Sequence, residues 1–159
     1  MVTRAIAIVV AMLVVATNTL SFAADLTVGP TRITKMIRGR DSLAVTVEVS
    51  TAQLSEPWAR NLWGGDEDQP ARRHVQSLKI AWAHTALWVP LSSYVDLGNP
   101  LTLKFVPVKQ RLSFVILGGE TSTGYEAQYC VSKRVLIRRR IRPREFPKAD
   151  LKSARTPLV

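Results

Sequence analysis

The stretch LAVTVEV, residues 43–49, decides the fold. Leu43, Val45, Val47 and Val49 recur at every second position, the period of a half-buried strand whose side chains alternate between two faces. Working outward, the same alternation returns downstream. In SLKIAWAH, Leu78, Ile80 and Trp82 share one face while Lys79 turns the other way. In LTLKFVPV the aligned residues are Leu101, Leu103 and Phe105, and in RLSFVIL they are Leu112, Phe114 and Ile116. The second face of RLSFVIL, with Val115 and Leu117, is also apolar, which predicts a central strand buried on both sides.

Two more strands follow. Tyr125, Ala127, Tyr129 and Val131 line up on one face, and Val135, Ile137 and Ile141 on one face of the next. The short connection at Ser132 and Lys133 predicts a hairpin between them, and Gly118, Gly119 and Gly124 punctuate the turn before. Six or so strands with short loops predict a mainly β protein, an antiparallel sheet forming a small sandwich or barrel. One or two short helices complete the expectation. Ser55 can cap one that runs through Glu56, Pro57 and Trp58, and residues 93–97, ended by Gly98 and Pro100, can form a single turn. The polar residues 64–73 read as a mobile loop within one domain.

The chain opens with Arg4 and an uninterrupted apolar run over residues 5–16, followed by Ser21, Phe22 and Ala23. That run is too short to span a bilayer but suits the core of a secretory signal, with cleavage after Ala23. The sequence therefore predicts a signal peptide over residues 1–23 and a single β-rich domain over 24–159, periplasmic or secreted. The net charge of +10 is uneven. Residues 24–130 hold 11 basic and 10 acidic residues, whereas residues 131–159 hold 10 basic and 2 acidic. The basic character thus belongs to the C-terminal segment.

No catalytic pattern emerges. Cys130, His74 and His84 are the candidates for nucleophile and base, but no spacing brings them together, and Cys130 reads as a small apolar thiol on the strand face opposite Tyr125, Ala127 and Tyr129. His74, after Arg72 and Arg73, is expected to be solvated. Two histidines are too few for a zinc site, a single cysteine excludes an intrachain disulfide, and Asp66, Glu67 and Asp68 lack the alternating ligands of a calcium loop. Residues 118–124 lead into a strand without a following lysine, so they read as a turn and not a phosphate loop. The reading is non-enzymatic, with no metal or cofactor.

Arg138, Arg140 and Arg142 alternate along a strand and form a stripe with roughly 6 to 7 Å between neighbours. The stripe suits anionic lipid headgroups, other envelope phosphates or an acidic protein partner, with peripheral membrane contact as one form of this; it equally suits a charged edge that blocks unwanted strand pairing. In the edge reading Arg139 falls among Val135, Ile137 and Ile141 and weakens pairing there. Nucleic acid is disfavoured by compartment. Of the four tryptophans, Trp82 and Trp88 are expected in the core, and core packing is also the default for Trp58 and Trp63.

The order of Trp88, Val89, Pro90 and Leu91, then Asp96, Leu97 and Gly98, then Gly118 and Gly119, then STGYEA at 122–127, Arg139 and REFP at 144–147 resembles a group of small exported proteobacterial proteins of unknown function. That resemblance implies a secreted β-rich module and supplies no activity. The turn with Ser122, Thr123 and Tyr125 is also similar in composition to the loop by which periplasmic lysozyme inhibitors plug the enzyme's cleft, which implies a protruding loop bearing those three side chains as the contact site.

Overall fold

The computed structural model describes residues 23–37, 41–53, 58, 61–66, 68–108, 111–120, 122–132, 135–144 and 152–155. The expected signal peptide, up to residue 22, and the helix start expected at Ser55 lie outside them. Ten strands are described: β1 (Ala23–Asp25), β2 (Gly29–Met36), β3 (Ser42–Thr51), β4 (Arg73–Trp82), β5 (Thr85–Leu87), β6 (Pro100–Val108), β7 (Arg111–Gly118), β8 (Tyr125–Val131), β9 (Leu136–Pro143) and β10 (Lys152–Arg155). They form two antiparallel sheets, one with strand order β1-β6-β7-β8-β9-β10 and the other β2-β3-β4-β5. The result is a sandwich and not a closed barrel. Among the described residues no helix is long and apolar enough to cross a membrane.

The core lies between the sheets and follows the alternation. Leu43, Val45, Val47 and Val49 of β3 are all buried, as are Tyr125, Ala127, Tyr129 and Val131 of β8. Removing each large apolar side chain from water contributes about 1.5–3 kcal/mol. Phe114 and Tyr129 are register partners on β7 and β8, and their rings stack at 4.7 Å between centroids. Such pairs add about 0.5–1.5 kcal/mol beyond area burial. β7 sits inside the six-stranded sheet, and its second face is partly closed too, with Ser113 and Val115 buried and Leu117 half-buried.

Bulges shift the phase in three places. Between Glu48 and Val49 the β3–β4 register slips, so that Val75 and Leu78 both face inward although three residues apart. A slip between Cys130 and Val131 pairs Val131 with Leu136 and Cys130 with Arg138. Leu136 is therefore the buried residue, while Val135 is exposed and Ile137 half-buried, which corrects the face expected for the last two. A third slip between Pro100 and Thr102 leaves Leu101 exposed instead of aligned with the buried Leu103.

The turn expected over residues 93–97 starts earlier, as a 3-10 turn at Leu91–Ser93 ending at Tyr94, with the Val95 amide bonded to the Leu91 carbonyl at 3.0 Å. Trp82 packs against the core and its indole N–H donates to Asp41 at 3.3 Å. Trp63 also packs there. Trp88 does not. It is 71% exposed, because β5 ends at Leu87 and the chain turns out through Pro90 before the 3-10 turn. Trp58 is exposed as well, with its ring edge-on to His74 at 4.9 Å.

The segment expected as a mobile insert is stitched to residues 96–99. The Trp63 amide bonds to the Asp96 carbonyl and the Gly98 amide to the Trp63 carbonyl. Asn99 accepts from the Arg72 and Arg73 amides at 2.9 and 3.3 Å and donates to the Gly64 carbonyl at 2.9 Å.

Candidate functional site

β9 presents its arginines on two faces. Arg138, Arg140 and Arg142 alternate with the buried Arg139 and Ile141, so the three stand on the side of the six-stranded sheet turned away from the other sheet. Across β8 their register partners are Cys130, Gln128 and Glu126. Arg142 donates to Glu126 at 2.8 Å, which orients one guanidinium of the stripe. Lys104 belongs to the same outward row as Arg140, through Val115 and Gln128, at roughly 14 Å given three strand spacings of about 4.8 Å. That lysine has no sequence signal linking it to the stripe, since only the strand order connects them.

β9 is not a bare edge. β10 pairs with it, with Lys152 opposite Ile141, Ser153 opposite Arg140, Ala154 opposite Arg139 and Arg155 opposite Arg138. Nor does Arg139 weaken the pairing with β8. It is 5% exposed and points into the sandwich, where both of its terminal nitrogens bond the Asp96 carboxylate and one also reaches the Ser92 carbonyl at 3.2 Å. Burial of a charge is tolerated because a bidentate partner supplies the lost hydration.

Ser122 and Thr123 border a polar cleft of about 550 Å³, together with Gly64, Asp66, Asp68, Arg72, Asn99 and Glu120. The Thr123 hydroxyl accepts from the Glu120 amide at 3.3 Å and holds the turn. Tyr125 is elsewhere. It is fully buried, with its ring packed under Gly64 and Gly118, where a methyl group on Gly64 would approach the ring to 2.9 Å. A contact loop bearing Ser122, Thr123 and Tyr125 is therefore corrected to two surface residues and one core residue. The reason lies in the chain itself: Tyr125 opens β8 in phase with Ala127 and Tyr129, on the inward face.

Tyr125 and Tyr129 share the interior with Arg139. The Tyr129 hydroxyl donates to the Ser93 carbonyl at 2.6 Å, whereas the buried Tyr125 hydroxyl has no partner among the described residues. Burial pushes both phenols well above the ordinary value of 10.0, with the nearby Arg139 charge pulling back in each case. Both are neutral hydroxyls at any ordinary pH.

The three residues a catalytic reading would require lie apart. His74 is half-buried near the start of β4, which corrects the solvated position expected for it, and exposed His84 is in the turn beyond the far end of that strand. Cys130 is half-buried in the other sheet, on its outward face, where it accepts from the Ser113 hydroxyl at 3.4 Å. Among the described residues no group of three or more His, Cys, Asp or Glu converges as metal ligands would.

No family model matches this chain, and no curated protein or solved structure does so significantly. The functional reading therefore rests on the geometry and the charge. What the arrangement offers chemically is an outward cationic stripe held at strand spacing, beside a sheet that fixes it from both sides.

Proposed function

We propose that this chain is an exported, non-enzymatic binding domain that meets an anionic partner or envelope component with the arginine-bearing face of its six-stranded sheet. The apolar leader over residues 5–16 supports export. The observation that carries the binding surface is the placement of Arg138, Arg140 and Arg142 on one outward face of a strand that has neighbours on both sides. A charge that only guards an edge is needed where no strand follows, and here β10 follows. The lysozyme-inhibitor likeness loses Tyr125 to the core and is not carried further.

The test is binding of the full chain to vesicles with and without anionic lipid, and to an acidic polymer, at low and high salt. Binding is expected to need the anionic component, to weaken as salt screens the arginines, and to be lost when Arg138, Arg140 and Arg142 are changed together to serine. Binding that survives the triple change removes this face from the proposal.

A further inference from the structure

The strap from Trp88 to Val95, WVPLSSYV, holds no charged residue and carries three large exposed apolar side chains: Trp88 at 71%, Leu91 at 60% and Val95 at 43%. Leu91 and Val95 stand one turn apart, since the Val95 amide bonds the Leu91 carbonyl. The backbone beneath them is already satisfied. The Pro90, Leu91 and Tyr94 carbonyls accept from amides within residues 93–97, and the Ser92 and Ser93 carbonyls accept from Arg139 and Tyr129. Five successive carbonyls thus need no water, a condition that a segment entering an apolar medium must meet. By themselves Trp88, Leu91 and Val95 expose on the order of 400 Å², about half of the roughly 800 Å² per partner that a standard protein interface buries. A bilayer asks for no matching surface, and tryptophan settles at its headgroup boundary. Charge points the same way. β9, which holds the strap through Arg139, also bears Arg138, Arg140 and Arg142, and the exposed Lys79 follows on β4 just past the Leu87–Ile80 pair where Trp88 leaves the sheet.

We infer that this strap is the part of the protein that enters the surface of an anionic phospholipid bilayer, with Trp88, Leu91 and Val95 passing between the headgroups. This rests on the anionic-partner reading above and names the partner as lipid. Arginine and lysine side chains are long enough to keep their charges at the level of the phosphates while the apolar groups go below. Neither contribution suffices alone. Three apolar side chains are a marginal anchor, and surface cations are screened by salt, so stable attachment takes the two together.

The test mixes the full chain with phosphatidylcholine vesicles, alone or with phosphatidylglycerol added, whose acyl chains carry bromine as a contact quencher of tryptophan. The share of the signal due to Trp88 is the difference between the chain and its Trp88→Phe variant, a readout to which residues 5–16 contribute no tryptophan. Trp88 is expected to be quenched in the vesicles containing phosphatidylglycerol, and only weakly in those without it. The variant Leu91→Ser with Val95→Ser changes two exposed side chains, so its melting midpoint is expected to stay put while its vesicle affinity, read from the same quenching, falls about tenfold. Vesicle binding that needs the three arginines but leaves Trp88 unquenched, with the Leu91 and Val95 variant binding as well as the unaltered chain, overturns the inference and leaves the anionic reading standing. Binding to the acidic polymer without any vesicle binding does the same, and points to an acidic protein instead. Equal quenching in both kinds of vesicle overturns it too, since the anionic charge then plays no part. Failure of polymer and vesicles alike removes both readings.

Discussion

Arg139 and Asp96 form a bidentate ion pair between the inward face of β9 and the segment that leads into β6, with the arginine buried and the aspartate partly so. The Asp96 segment is in turn bonded to the other sheet, since the Val75 amide donates to the Leu97 carbonyl and His74 bridges to Gly98. One charge pair therefore fastens the six-stranded sheet to a strap held on the four-stranded one. Ser92 and Ser93 extend the same strap, accepting from Arg139 and Tyr129.

Arg139→Ala leaves the Asp96 carboxylate without its partner and is expected to cost about 3–5 kcal/mol. Replacing both residues by apolar ones of similar size, Arg139→Met with Asp96→Leu, is expected to recover most of that loss, because no unpaired charge remains. Denaturant unfolding of the two single variants and the double one checks this. Additive losses in the double variant contradict it.

The two buried tyrosines differ in what their hydroxyls do. Tyr129→Phe leaves the Ser93 carbonyl without its donor and is expected to cost about 1–3 kcal/mol, whereas Tyr125→Phe removes a hydroxyl that bonds nothing described and is expected to cost no more than about 0.5 kcal/mol. Both phenols have folded pKa values raised by burial, so their contribution to stability is constant below about pH 10, where the unfolded tyrosines begin to ionise, and declines above it. Each lowers stability by about 1.4 kcal/mol per pH unit in that range. Tyrosinate absorbance followed with unfolding is expected to show these two groups ionising only as the protein opens. Ionisation of both near pH 10 in the folded state would refute their burial.

Gly64 and Gly29 both have positive φ, at +85° and +108°. Added methyl groups meet different surroundings. At Gly29 nothing lies within 4 Å, so Gly29→Ala is expected to cost only the backbone strain, about 1 kcal/mol. At Gly64 a methyl group lies 2.6 Å from the Gly98 carbonyl and 2.9 Å from the Tyr125 ring, and overpacking adds about 1–3 kcal/mol. Thermal melts that rank the two variants the other way would place Tyr125 somewhere other than beneath Gly64.

β4 and β5 are joined by a two-residue turn, Ala83 and His84, with φ of +46° and +71°. Such turns favour Asn followed by Gly, because a side chain at positive φ is strained. Ala83→Asn with His84→Gly is expected to stabilise the fold by about 0.5–1 kcal/mol, read as a raised melting midpoint. A loss would mean that His84 has a bonding role in the fold.

Most of the strands were legible because alternation is a local property. Val45, Val47 and Val49 needed no knowledge of their neighbours to be placed on one face, and the same holds for Tyr125, Ala127 and Tyr129. The failures cluster where a bulge resets the phase. Counting in twos puts Ile137 on the face of Ile141, and the slip between Cys130 and Val131 hands that inward place to Leu136. Trp88 reads as a core residue because it lies next to apolar strands, but its segment leaves the sheet just before it.

The candidate site divides the same way. That Arg138, Arg140 and Arg142 share a face follows from their spacing, but whether the face is an edge depends on β10, which lies eight residues beyond β9 and pairs through the backbone with no side-chain signature. Tyr125 has two readings in the sequence, a strand position in phase with Ala127 and Tyr129 and, by likeness in composition, a contact-loop residue; the core position beneath Gly64 and Gly118 decides for the first.

By itself the amino-acid sequence determined that this is a strand-rich chain with an apolar run over residues 5–16, a basic C-terminal segment and arginines at every second position. These follow from residue type and short-range period. Only the tertiary structure decided that the sheets form a sandwich, that Arg139 is an interior ion-pair partner while its neighbours face outward, and that β9 is covered by a strand of its own charge. Those depend on which distant segments meet, and the backbone hydrogen bonds that bring them together leave no mark on the side chains.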